Sequence, residues 1–161
     1  MGKEALIEDI RTKLGRAVEA VSDSFGDTVL TVRADSLRPA LAGLREGPFD
    51  YAVLLDITCV DFAAGEGRFE LVYHLYSLSR NVRLRLKTSV PASDPEAASV
   101  SGLWKNAGWL EREAFDMFGV RFTGHPDLRR ILTYEGFEGH PLRKSYPWRL
   151  AQPRIPLKDK L

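Results

Sequence analysis

One cysteine, Cys59, occurs among the 161 residues. A disulfide within the chain is therefore impossible, and a zinc or iron–sulfur site built from several cysteines is excluded. Histidine is nearly as scarce, at three residues. There is no Gly-x-Gly-x-x-Gly, no Walker loop and no Gly-x-Ser-x-Gly elbow for a nucleophilic serine. No apolar run approaches the roughly 18 residues of a membrane span. The N-terminal MGKEALIEDIRTKLG is charged throughout, where a secretory signal would carry an apolar core. A charge excess is lacking too: 23 Lys and Arg face 22 Asp and Glu, a formal +1. That balance removes any global electrostatic case for nucleic acid or a membrane surface. The expectation is a soluble cytoplasmic chain that reaches a membrane only through a partner. Cys59 sits in an apolar run and is expected as a buried small hydrophobe.

What is present is enough apolar material for a core, at 44%, with an ordinary 28% of charged residues. The length suits one domain with a tail. Ala5, Leu6, Ile10, Leu14, Ala17, Val18 and Val21 recur at helical spacing, which predicts a first helix over about 3–22. TVLTVRAD, from Thr28 to Asp35, alternates as a half-buried strand, and Asp35 or Ser36 then caps a helix over about 37–46. YAVLLDITCVDF, Tyr51 to Phe62, is long, apolar and β-branched, and predicts a central strand. AAGEGR at 63–68 reads as a turn. RFELVYHLYSL and NVRLRLKTSV then predict two more strands, completing an antiparallel meander over 51–90. PASDPEAAS reads as a polar loop. Residues 100–118 are helical in pattern, expected in two pieces broken at Gly108 and stopped at Gly119. The fold class is α+β: an antiparallel or mixed sheet with helices packed on one face, followed by an extended irregular tail.

The tail begins after Arg121. Residues 123–161 hold five prolines and three glycines without sustained periodicity, yet carry Tyr134, Phe137, Tyr146 and Trp148. Ordered but irregular aromatic segments usually lie against something, so the chain divides into a core over 1–122 and a partner-binding segment over 123–161. From Arg143 onward six basic side chains face one Asp, a cationic stretch suited to an acidic surface. Without a partner, the segment from about 123 is expected to be only partly ordered.

The stretch from Glu111 to Pro147 is dense in possible chemistry. A metal site could be drawn from His125, His140, Glu111, Glu113 and Asp116. Its spacing argues against one: there is no His-x-x-x-His or His-Glu-x-x-His pair, and both histidines precede prolines. The plainer expectation is that each imidazole bonds a backbone carbonyl or a carboxylate in a tight turn. On a helix Glu111 and Asp116 point about 140° apart, so they make no natural acid–base dyad. Arg112 and Asp116 suit an i,i+4 ion pair. LRR and LRKSYP could grip phosphate, but Asp127, Glu135 and Glu138 offset them. Many charges on rigid turns with no assembled reaction centre suit a polar, permanent protein–protein contact. Arg supplies planar forks, Tyr and Trp supply anchors, and Pro and Gly fix the path beforehand.

EREAFDMFGVRFTGHPDLRRIL resembles the signature of the 30 kDa subunit family of NADH-quinone oxidoreductase, the C component of bacterial respiratory complex I. That signature runs Glu-Arg-Glu, two residues, an acid, two apolar residues, six residues, His, three residues, Arg or Lys, one residue, two apolar residues. Glu111, Arg112, Glu113, Asp116, Met117, Phe118, His125, Arg129, Ile131 and Leu132 fall in place. GFEGHPLRKSYP, Gly136 to Pro147, is similar to the family's second block. The resemblance implies a peripheral-arm subunit without catalytic, cofactor-binding or metal residues of its own. FMN, iron–sulfur clusters and quinone would belong to partner subunits. It implies docking on the hydrogenase-like D subunit, near the B subunit, on the cytoplasmic side of the bacterial cell membrane. The interface residues it suggests are Glu111, Arg112, Glu113, Asp116, Phe118, His125, Asp127, Arg129, Arg130, Gly139, His140, Arg143, Lys144 and Tyr146. The same domain occurs in related membrane-bound hydrogenases and formate hydrogenlyases. A stand-alone metal-dependent hydrolase using His125, His140 and Glu111 is the alternative from another class.

Overall fold

A computed structural model describes residues 3–62 and 67–153. The expected turn at 63–68 and the basic residues from Arg154 onward lie largely outside the described residues. The chain runs α1 (Lys3–Leu14), β1 (Val18–Ser24), β2 (Asp27–Val32), α2 (Leu37–Arg45), β3 (Val53–Asp61), β4 (Arg68–Ser77) and β5 (Val82–Pro91). The short β6 (Glu96–Ala98), α3 (Ala107–Phe118) and β7 (Arg121–Thr123) follow. Five strands form one mixed sheet in the order β1-β2-β5-β4-β3, with β2 and β5 parallel and the other neighbours antiparallel. β6 and β7 pair in parallel as a separate ribbon. The fold is α+β, as the sequence predicts.

Alternation builds the core. Phe69, Leu71, Tyr73 and Leu75 of β4 and Leu84, Leu86 and Val90 of β5 turn to one face, where they meet Leu6 and Ile10 of α1 and Leu37, Leu41 and Leu44 of α2. Ala114, Met117 and Phe118 of α3 close the same cluster. The intervening residues carry charge on the opposite face, where Lys87 pairs with Glu70 at 2.9 Å and Arg85 with Asp27 at 3.3 Å.

Four expectations are corrected. The first helix ends at Leu14, because Gly15 takes φ +53°, where the left-handed turn stops it. The residues read as its second half are the edge strand β1, joined to β2 by a two-residue turn at Phe25 and Gly26, both with positive φ. The run at 51–62 is an edge strand, not a central one. Its outer backbone is covered: the Trp104 indole donates to the Ala52 carbonyl at 3.0 Å and the Asn106 amide to the Leu54 carbonyl at 2.9 Å. Those two bonds also explain the third correction. Residues 100–106 leave the helical path to reach β3, and Gly108 lies inside the first turn of α3 rather than at a break. The segment read as a polar loop contains β6.

Cys59 is buried on the core face of β3, and burial pushes its thiol up to about 12. Alkylation with iodoacetamide at pH 8 is expected to be slow in the folded chain and complete in guanidinium. Rapid labelling of the native chain would show that β3 is not seated against the helices.

Candidate functional site

The candidate residues gather at α3, the helix that carries Glu-Arg-Glu and Asp116. Four carbonyls at a helix C-terminus have no partner within the helix, and here each finds one. Gly119, in the left-handed region at φ +74°, donates to Phe115 at 2.8 Å. The other three are met by a segment more than twenty residues away. His140 Nδ1 donates to the Asp116 carbonyl at 2.9 Å, the Leu142 N–H to Met117 at 3.1 Å and Arg143 Nε to Phe118 at 2.6 Å. The Arg143 cation sits at the negative end of the helix and lies over the Phe69 ring, 5.1 Å from its centroid.

The Asp116 side chain is fully buried and collects the following turn. One oxygen accepts from the N–H groups of Ile131, Leu132 and Thr133 at 3.0, 2.8 and 2.8 Å. The other accepts from the Thr133 hydroxyl and from Arg130 Nη1 at 2.7 Å. Burial alone would raise this carboxyl, but the hydroxyl and three backbone donors hold it well below the usual range. Arg130 also donates to the Gly139 carbonyl at 2.9 Å, joining the two blocks of the irregular segment. The expected Arg112–Asp116 pair is replaced. Arg112 turns its fork to the carbonyls of Arg129 and Arg130, both at 3.0 Å, because Arg130 has taken the carboxylate.

Glu111 faces the other way, as its angular separation from Asp116 requires. It is fully buried, accepts the Val100 N–H at 2.6 Å and the Ser99 hydroxyl at 2.7 Å, and holds the loop after β6. Burial raises its carboxyl above the ordinary value, only partly countered by those donors and His125. His125 commits both ring nitrogens. Nε2 donates to the Gly108 carbonyl and Nδ1 accepts from the Asp127 N–H, each at 3.0 Å. Among the described residues no three His, Cys, Asp or Glu side chains gather into a metal-binding group.

The remaining candidates divide by exposure. Phe118 is core. Tyr146 stacks on Phe137 at 6.2 Å, beside the turn at Gly139. Glu113, Asp127, Arg129 and Lys144 present their side chains to solvent, although the Lys144 N–H reaches Asp61 of β3 at 2.7 Å. Trp109, Leu132, Leu142, Trp148 and Leu150 are exposed too, Trp148 at 82%. Sequence reasoning missed Asp61, Ser99 and Thr133, whose roles depend on a chain path that no local pattern announces.

Residues 30–152 match the family described as respiratory-chain NADH dehydrogenase, 30 Kd subunit. The chain belongs to that family. Its relatives include the C subunits of NADH-quinone oxidoreductase from several bacteria. It is 47% identical over 134 residues to the one from Erythrobacter litoralis, covering 83% of this chain and 53% of that protein. It is 43% identical over 152 residues to the one from Thiobacillus denitrificans, covering 89% and 76%. The first of these relatives is thus spanned over only about half its length. Among solved structures, the trypsin-resistant fragment (1-134) of Nqo5 matches with a TM-score of 0.67 and 30% identity, over 78% of this chain and 98% of the fragment. A chain of an archaeal membrane-bound sulfane sulfur reductase has a TM-score of 0.73 at 24% identity over 98% of each chain, a likeness of fold alone.

Three variants separate the roles within the 30 kDa subunit signature. Glu111→Gln should cost less than about 1 kcal/mol, because the amide oxygen still accepts from Val100 and the Ser99 hydroxyl can reverse its bond. Asp116→Asn should cost about 3 kcal/mol, because the N–H groups and the guanidinium cannot reverse. Chemical denaturation checks both, and equal losses would contradict these roles. Gly119→Ala should cost more than about 1 kcal/mol, since φ is positive and a Cβ would lie 2.5 Å from His140 Nε2. For pH, the Asp116 carboxyl is lowered in the folded state, so the unfolded chain takes up its proton first. The stability it supplies is full above about pH 4 and is lost as pH falls further, and Asp116→Asn should flatten that limb of the profile.

Proposed function

We propose that this chain is a cofactor-free subunit of NADH-quinone oxidoreductase. It docks on the hydrogenase-like D subunit, close to the B subunit, at the cytoplasmic face of the bacterial cell membrane. In that role it supports electron transfer from NADH to quinone coupled to proton translocation, while flavin, iron–sulfur clusters and quinone are held by partner subunits.

One observation supports the docking reading above the others. The buried polar groups of the signature are spent inside the chain, on carbonyls and N–H groups, and are not aimed together at a shared cleft. What the same region offers outward is an apolar and basic rim: Trp109, Leu132, Leu142, Trp148 and Leu150 with Arg129 and Lys144. Exposed aromatics and arginines on a rigid path are the anchors that permanent interfaces use. The hydrolase alternative has no comparable support, since His125 has no free ring nitrogen.

Arg129 and Arg143 then separate. Arg129 is mostly exposed and, among the described residues, pairs with neighbouring Asp127 at 2.9 Å. Arg129→Ala should lower assembly, by about tenfold in affinity for each 1.4 kcal/mol of lost contact, and leave the isolated chain's melting temperature unchanged. Arg143→Ala should lower both, because Arg143 also caps α3. Native gels beside quinone-reductase turnover test this. Normal assembly with collapsed turnover per assembled complex would place these arginines in the reaction and overturn the docking reading.

A further inference from the structure

A cavity of about 590 Å³ opens between α1 and one end of the sheet. That volume lies within the roughly 300–1,000 Å³ of small-molecule sites. None of the α3 signature residues lines it, so it is separate from the region assigned to docking. Its floor is apolar, formed by Leu6 and Ile10 of α1 with Leu84 of β5, all buried.

The polar groups at this cavity are unusual in having so little to do. Tyr51 lines it and is only 1% exposed, yet its hydroxyl makes no hydrogen bond among the described residues. Burial pushes that phenol up to about 12, so it keeps its proton and is a donor. Arg80 also lines the cavity. It gives one N–H to the Pro48 carbonyl, which leaves other donors of its guanidinium open. Arg83, exposed at the mouth, has no ion pair among the described residues. The carboxylate in the lining, Asp27, is already paired with Arg85 at 3.3 Å. Among the described residues, two guanidiniums therefore stand without an ion pair above an apolar floor, beside the Tyr51 phenol.

Each simpler occupant leaves part of this arrangement unused. An uncharged apolar molecule would seal Tyr51 and the arginines from water without pairing them, which is costly. A small inorganic anion would leave the floor empty. A cationic amphiphile would meet two like charges. We infer that the cavity binds an anionic amphiphile, its acyl chain on the Leu6, Ile10 and Leu84 floor and its carboxylate or phosphate head accepting from Arg80, Arg83 and Tyr51. A free fatty acid and an anionic membrane lipid share this chemistry.

Calorimetry on the full chain tests the site, with dodecanoate below its micelle concentration beside dodecyltrimethylammonium and acetate. Dodecanoate should bind saturably at one site per chain, and the other two should not. Arg83→Glu should weaken dodecanoate by about tenfold or more. Tyr51→Phe, which changes no bond within the chain, should weaken it by about threefold at an unchanged melting temperature. Cosedimentation with phosphatidylglycerol vesicles, lost in Arg83→Glu, identifies a bilayer lipid as the source. Dodecanoate binding without vesicle binding identifies a free acid. The inference is overturned if dodecyltrimethylammonium binds as well as dodecanoate. It is also overturned if Arg83→Glu leaves binding intact, or if neither anionic probe binds.

Discussion

The buried carboxylate of Asp116 is the constraint on which the rest of the C-terminal half depends. A charge in that position is tolerable only if its lone pairs are filled. The chain fills them with three successive N–H groups, a hydroxyl and a guanidinium, all from residues 130–133. Satisfying the charge therefore dictates a turn. That turn orients Arg130 toward Gly139, and the segment from His140 then reaches the open carbonyls of α3. An irregular stretch becomes ordered because a helix end and a buried acid both need partners.

This arrangement changes the meaning of the boundary between core and tail. A division after residue 122 cuts through β7, and residues 129–144 contribute the capping of α3. Segments without periodic structure usually run over the surface with their backbone in water. Here several backbone groups of 131–144 are bonded to α3 or β3, including the Lys144 N–H on Asp61. Rigidity of this kind favours assembly, because a segment already held in place loses little entropy when a partner arrives.

Legibility in the sequence followed periodicity. The alternation of β4 and β5 and the apolar stripe of α3 were readable because each position reports its own burial. Val18 and Val21 continue a helical spacing across Gly15, whose positive φ ends the first helix, so periodicity alone overstates its length. The run around Cys59 looked central because its outer edge is covered by Trp104 and Asn106, side chains fifty residues away. At the site, helical spacing sets Glu111 and Asp116 on different sides, and the histidines, expected on carbonyls or carboxylates, are found on carbonyls. Which carbonyls, and the exchange of Arg112 for Arg130 on Asp116, depended on the path of an aperiodic segment. The family signature marked these residues as a group without saying that many of them hold the chain to itself.

Native-state hydrogen exchange on the isolated chain tests this account most directly. If Asp116 and the end of α3 order the segment, the amides of Ile131, Leu132, Thr133 and Leu142 should exchange about as slowly as those in the middle of α3, and Asp116→Asn should release the first three together. Exchange of these amides at the rate of an unstructured peptide, while α3 itself stays protected, would contradict it. The segment would then take its shape from a partner, and not from the buried carboxylate.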